Sequence, residues 1–325
     1  KIFALAESRG LMVCYEAAVA GGIPIIKALR EGLSANRVNW LAGIINGTTN
    51  FILSEMDTKG REFTDVLSEA QAKGYAEADP TFDVEGIDAS HKLAILASIA
   101  FSMPLSLDGL FTDGITQLEP QDVAYARELG YVVKHLGIAR QSESGIELRV
   151  HPTLIPERSL IAGVSDVSNA IMVNADAVGT TLFYGPGAGA EPTASAVIAD
   201  IVDVARVMDS YPDSWVPPLG CHSSVLQERA LMAIEDVETG FYIRFSALDK
   251  PGVLSDITKI MGDAGISIEA IIQREQPAGE RYVNVIILTN VTKQKCLNEA
   301  VMHIENLETV RGQVSFIRVE YLDQV

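Results

Sequence analysis

Residues 241–266 read FYIRFSALDKPGVLSDITKIMGDAGI. Phe241 to Ala247 alternates with the period of a half-buried strand. Asp249-Lys250-Pro251-Gly252 has the residue types of a turn. Val253 to Asp263 then follows helical spacing and stops ahead of Gly265. Outward from there, Ile266 to Arg274 and Arg281 to Thr289 are strand-like runs around a turn at Pro277-Ala278-Gly279. Lys293 to Glu305 predicts a helix, and Gln313 to Tyr321 a closing strand. The order β-α-β-β-α-β predicts a ferredoxin-like unit over residues 240–325. Upstream of it, Pro212, Pro217 and Pro218 between Tyr211 and Gly220 predict a linker, set at residues 209–239.

The earlier residues mix helices and strands, which predicts an α+β domain built on a sheet. Lys1 to Gly10 reads as a short helix and Leu11 to Tyr15 as a short buried strand. Pro24 to Gly32 is a helix with Pro24 near its first turn. Arg37 to Ile45 is a strand that ends in a turn at Asn46-Gly47. Phe63 to Lys73 is an amphipathic helix stopped by Gly74, and His91 to Phe101 is a strongly apolar helix. Strands follow at Tyr131 to Ala139, Ile146 to His151, Ala170 to Asn174 and Thr180 to Tyr184. Gly185 to Thr193 is glycine-rich and leads into a helix from Ala194 to Met208.

Composition narrows the function. The 325 residues carry 43 acidic and 25 basic side chains, a net charge of -18. A nucleic-acid binder needs a basic footprint, so that class is excluded. No apolar run approaches the length that spans a bilayer. Cys14, Cys221 and Cys296 are distant and odd in number, with neither a disulfide framework nor a zinc spacing. A reducing cytosol fits this usage.

The densest cluster of chemistry is Gly74 to Lys92. It holds five carboxylates from Glu77 to Asp88, interleaved with Tyr75, Phe82, Val84 and Ile87. A solvated acidic loop is the plain alternative. Against it, Asp88 and Lys92 are spaced i, i+4 and meet on one helix face at the start of the apolar helix. A lysine at such a position needs a partner, and an amine held by a carboxylate is a general-acid candidate. Gly185 to Thr193 offers free N–H groups at a helix start, suited to an anion or simply a connection. In Gly43-Ile44-Ile45-Asn46-Gly47-Thr48-Thr49-Asn50, small polar residues at a strand end face a ligand crevice, or Thr48 or Thr49 merely caps a helix.

These segments together resemble homoserine dehydrogenases. Tyr15 to Ile26 is similar to the family's segment after its nucleotide domain. Gly43 to Asn50 resembles its Gly-Ile-x-Asn-Gly-Thr-Thr-Asn segment, and Gly74 to Lys92 its catalytic signature. The glycine-rich segment before Pro192-Thr193 matches as well. Residues 240–325, with Asp249 to Leu254, resemble an ACT domain.

The resemblance implies NAD(P)H-dependent interconversion of aspartate semialdehyde and homoserine, on the route to threonine, methionine and isoleucine, under feedback control. It implies Lys92 as proton donor held by Asp88. Glu77 would bind the substrate amine, with Asp83, Tyr75, Gly47 and Thr48 completing the pocket. Gly189 would contact the cofactor. A sodium ion would be held by Glu16 and the carbonyls of Val19, Gly21 and Ile23. Threonine would act as effector at Asp249, Gly252, Val253 and Leu254, in a cytoplasmic homo-oligomer.

By the same resemblance residues 15–208 are the catalytic domain, and the helix 193–208 packs on a nucleotide domain. Residues 1–14 resemble only the end of that domain, a remnant of a Rossmann unit. Its Gly-x-Gly-x-x-Gly and Ala-Asn-Lys segments are not in this sequence, and there is no initiator Met. The expectation is therefore of a chain lacking most of its nucleotide-binding half and inactive alone. Two other readings stay open. One is an amino-acid-binding regulatory module without catalysis. The other gives Lys92 Schiff-base chemistry, which fits poorly beside carboxylates that favour the ammonium.

Overall fold

The computed structural model describes residues 1–211, 215–274 and 281–322. The turn expected at Pro277-Ala278-Gly279 and the linker's Pro212 lie outside the described residues. The chain opens with α1 (Ile2–Ser8). The buried strand expected at Leu11 to Tyr15 does not form: the segment is irregular and Leu11 is exposed. No strand among the described residues lies alongside to take up its backbone hydrogen bonds. After one 3₁₀ turn at Glu16–Ala18, α2 (Ile25–Lys27) and a π turn, Ala28–Gly32, together make the expected helix.

Next come β1 (Val38–Ile44), α3 (Gly47–Lys59) and α4 (Phe63–Ala72). The turn expected at Asn46-Gly47 is instead the start of α3. Its N-cap is Asn46, whose Oδ1 accepts the Thr49 amide at 2.9 Å, and not Thr48 or Thr49. The acidic loop holds α5 (Thr81–Val84) and feeds α6 (Ile87–Phe101). Then follow β2 (Phe111–Thr112), α7 (Pro120–Glu128), β3 (Tyr131–Ser142), β4 (Gly145–Pro156), β5 (Ser168–Ala175), β6 (Gly179–Pro186) and α8 (Ala190–Val207). α8 begins four residues before the expected Ala194, because Pro192 is accommodated in its first turn.

The C-terminal unit is β7 (Glu238–Leu248), α9 (Val253–Asp263), β8 (Ile268–Gln273), β9 (Tyr282–Thr289), the short β10 (Thr292–Lys293), α10 (Gln294–Glu305) and β11 (Val310–Val319). Its two helices cover one face of β8-β9-β7-β11, and a core of Phe241, Ile243, Phe245, Ile257, Met261, Leu297 and Ile304 fills the space between.

Sequence reasoning treats the two units as separate, yet one sheet runs through both. The order is β6-β5-β1-β3-β4-β11-β7-β9-β8. Parallel pairing of β11 with β4, Arg318 opposite Thr153 and Val319 opposite Leu154, makes the join. The connection also lies along the sheet, with an isolated bridge between Leu231 and Ile146.

On the far side of the join, α7 sits against β7. Asp122 is fully buried. It accepts from Tyr242 Oη at 2.9 Å and from Arg244 Nε and Nη2 at 2.5 and 3.0 Å, while also closing the capping box of α7. Removing Asp122 leaves the buried Arg244 guanidinium with only the half-exposed Glu119, 3.1 Å from Nη2, as a carboxylate partner. Asp122→Ala should therefore cost about 3–5 kcal/mol, read from the urea midpoint. A loss below about 1 kcal/mol would show that Arg244 finds solvent or another partner instead.

Candidate active site

The site forms where β1 ends. Its last residues hand the chain to Asn46, which is buried and uses both ends of its amide. Oδ1 caps α3, and Nδ2 donates to Asp83 Oδ1 at 2.7 Å and Asp88 Oδ2 at 2.8 Å. Sequence reasoning gave Asn46 only the role of a turn residue. The signal was present: asparagine is a strong N-cap, and a cap at a strand end points its amide back across the crevice.

Lys92 reaches the same point from α6. Its Nζ donates to Asp88 Oδ2 at 2.5 Å and to the Ile45 carbonyl at 3.1 Å. Both side chains are about one-fifth exposed, so the pair faces an opening and is not sealed in the core. The Thr48 hydroxyl donates to the Tyr75 carbonyl at 2.7 Å, which ties α3 to the start of the acidic segment. Burial pushes the Asp83 carboxyl up, opposed by its hydrogen bond from Asn46. Asn46, Asp83, Asp88 and Lys92 are thus brought together by hydrogen bonds, with Thr48 and Tyr75 joined at the adjoining start of α3, where Gly47 follows Asn46. Glu77 is exposed, and no described contact engages its carboxylate.

The Glu16 group lies apart from that crevice. Glu16 is buried, and its two oxygens accept the Ile26 and Lys27 amides, each at 2.8 Å. Burial raises its pKa, opposed by those amide bonds. The turn at Val19, Gly21 and Ile23 packs on the glycine-rich segment: Gly22 N donates to the Pro186 carbonyl at 3.1 Å. A Cβ on Gly21 would stand 2.4 Å from the Gly187 oxygen. Gly189, at φ 115°, is the N-cap of α8 and brings no side-chain cap to its free amides.

Beneath α6 lies His135 of β3. Gly86, the left-handed N-cap of α6 at φ 77°, rests on its ring, and a Cβ there would come within 3.0 Å of Cε1. His135 Nε2 is 3.0 Å from the Asp113 carbonyl, and buried Nδ1 has no partner.

The fold joins an α+β unit that carries the Asp88–Lys92 pair to a smaller unit of ferredoxin-like order. The profile described as homoserine dehydrogenase matches residues 24–202, and that of the ACT domain matches 241–301. A homoserine dehydrogenase of Pseudomonas aeruginosa is 58% identical over 323 residues, 99% of this chain and 74% of that relative. The crystal structure of a homoserine dehydrogenase from Thiobacillus denitrificans superposes with a TM-score of 0.93 at 58% identity, covering 98% of this chain and 72% of that one. A hyperthermophilic archaeal homoserine dehydrogenase in complex with NADPH superposes at 0.54 with 27% identity, covering 62% of this chain and 58% of that one. The chain belongs to the homoserine dehydrogenase family, which are oxidoreductases. The chain spans about three-quarters of the length of these two relatives, 74% and 72%, and the comparisons do not support the expectation that it is inactive alone. Among the described residues no helix is long and apolar enough to cross a membrane.

His135 gives the site module a pH dependence. Burial pushes its pKa down to about 4, against the ordinary value of 6.5. Between those values the unfolded chain binds a proton that the fold excludes. Stability is therefore full above about pH 6.5 and falls toward pH 4, by up to about 3 kcal/mol. Buried His151 is lowered as well and acts in the same direction. Urea unfolding of His135→Gln should show a shallower loss between pH 6.5 and 4. An acid limb as steep as the parent's would count against this.

Proposed function

We propose that residues 15–208 are the substrate module, that 240–325 are the ACT regulatory module joined through 209–239, and that Lys92 is the proton donor for interconverting aspartate semialdehyde and homoserine. The observation that carries this is the lysine's unused donor. An ammonium has three N–H groups. One is held by Asp88 and one by the Ile45 carbonyl, which leaves the third for a substrate oxygen. Bound NAD(P)H supplies the hydride. Lys92 gives its proton to the aldehyde oxygen as negative charge develops there, and takes one back in the reverse direction.

Asp88 orients the amine, and Asn46 orients Asp88. The free Glu77 carboxylate suits the substrate ammonium. Asp83, Tyr75, Gly47 and Thr48 line the remaining wall. At the far end of the substrate module, the uncapped start of α8 at Gly189 suits a cofactor phosphate or amide edge. Exposed Val197, Ile198 and Ile201 support residues 193–208 as the helix that meets a nucleotide-binding domain. The donor set for sodium fits its chemistry: a buried carboxylate at Glu16 with the carbonyls of Val19, Gly21 and Ile23 is all oxygen.

In the ACT unit, Asp249, Gly252, Val253 and Leu254 line a cavity of about 140 Å³, closed by Ala247, Gln273 and Val283. We assign it to threonine. β8 is the outer strand of the described sheet on the ACT side, an edge that suits pairing with a second copy.

Lys92→Ala should lower turnover by about 100-fold or more with the fold retained. Near-normal turnover in NADPH-linked assays would remove the assignment. For the regulatory unit, titration calorimetry should detect threonine, and Asp249→Ala should weaken it. Light scattering at micromolar concentration should give more than one copy per particle. Absence of heat with threonine and related amino acids would end the effector reading, and a strict monomer the pairing.

A further inference from the structure

β4 is bounded on one side by β3 along its whole length. Its other edge is shared. β2 takes Arg149 and Val150, and β11 of the regulatory module takes Thr153 and Leu154 immediately beyond. Arg318 of β11 therefore lies beside Phe111 of β2, with its guanidinium carbon 4.8 Å from the ring centroid. Arg318 is 4% exposed. No carboxylate lies within ion-pair distance of it among the described residues. Its Nε donates to Gln294 Oε1 of α10 at 2.9 Å, and its guanidinium lies nearest Phe111, with Phe316 of its own strand farther off at 5.8 Å. Burying a guanidinium without a carboxylate partner is costly. An aliphatic side chain would fill the same place at less cost, so packing alone does not account for it.

The contact leads on without a gap. Phe111 opens the segment Phe111–Thr116, which is bonded to the residues ahead of α6. The Ile115 amide donates to the Val84 carbonyl at 2.8 Å, and the Thr116 hydroxyl to Glu85 Oε1 at 3.0 Å. A Cβ on Gly114 would stand 2.5 Å from the Val84 oxygen, so the two segments touch through backbone. Asp113 O meets His135, and His135 carries Gly86. Gly86 is the N-cap of the helix that holds Asp88 and Lys92.

We propose that Arg318 of the regulatory module is a positioning residue for the reaction: by holding Phe111 it fixes the segment Phe111–Thr116 against Val84–Gly86, and so sets where α6 presents Asp88 and Lys92. This rests on the reading of Asp88 and Lys92 as the catalytic pair. It gives a ligand at the ACT unit a packed route to turnover, through a side chain that touches no substrate.

The test uses Arg318→Met, Arg318→Lys and Phe111→Leu in the full chain, with the Arg318→Met/Phe111→Leu double variant. A misplaced proton donor lowers kcat and leaves substrate binding alone. Each single variant should lose about tenfold in kcat with KM for homoserine little changed. Lysine has no plane to stack on the ring, so Arg318→Lys should not rescue. The double variant should be no slower than the worse single, since both break one strut. Amide exchange over Ile87–Lys92 should rise without a matching rise in the core of β5. Phe111→Leu is a mild apolar change that keeps the fold if Arg318→Met does not. Unchanged kcat and exchange in these variants, alongside a Lys92→Ala enzyme that is dead, would overturn the proposal alone. Losses that simply add in the double variant would overturn it too. Normal turnover in Lys92→Ala would remove the catalytic pair and this proposal with it.

Discussion

The shared edge of β4 is the constraint on which the rest of the molecule depends. A strand offers one row of backbone donors and acceptors on each side, and every buried one needs a partner. β3 satisfies one row over twelve residues, from Tyr131–Pro156 to Ser142–Gly145. The other row is shared among the two-residue β2, the end of β11 and the isolated bridge at Leu231. β2 lies in the N-terminal unit and β11 in the C-terminal one, so that edge is completed from both.

The side chains at that edge reflect the arrangement. Glu147, Arg149, His151 and Thr153 point to one face of β4 and are all buried. Glu320, just past β11, accepts from Arg149 Nη2 at 2.5 Å and Arg140 Nη2 at 2.9 Å. Its pKa is lowered: the two arginines outweigh its burial, which alone would raise it. Arg149 also donates to Glu147 and contacts His151. A buried network of this kind adds little net stability over apolar packing, but it tolerates few registers. It selects one alignment of β11 on β4, which a smooth apolar seam would not.

The crevice obeys the same logic on a smaller scale. Asn46 is one side chain that ends a strand, caps a helix and ties two carboxylates. That economy places Asp88 beside Lys92 without a dedicated scaffold. Local spacing made the Asp88–Lys92 pair legible, because i, i+4 neighbours meet in any helix. Glycine stops, turn residues and strand alternation made most elements legible, among them α4, α9, α10 and the strands from β3 to β6. α7 was not legible: its nine residues offer only Val123, Ala124, Tyr125 and Ala126 as an apolar run without helical spacing, and its capping box uses Glu119 and Asp122, which periodicity does not detect. The run Leu11 to Tyr15 misled for the opposite reason, since an apolar stretch says nothing about whether a partner strand exists.

The sequence by itself determined most of the elements, the ferredoxin-like order of the C-terminal unit and the segments that resemble homoserine dehydrogenases, since each depends on residues close together in the chain. Only the tertiary structure decided that β11 joins β4, that Asn46 bridges Asp83 and Asp88, and that Arg318 stacks on Phe111. Those pairings bring together residues from 37 to 207 positions apart. Nothing in local periodicity encodes a meeting of that kind. It follows from which edges and buried charges remain unsatisfied once the local elements have formed.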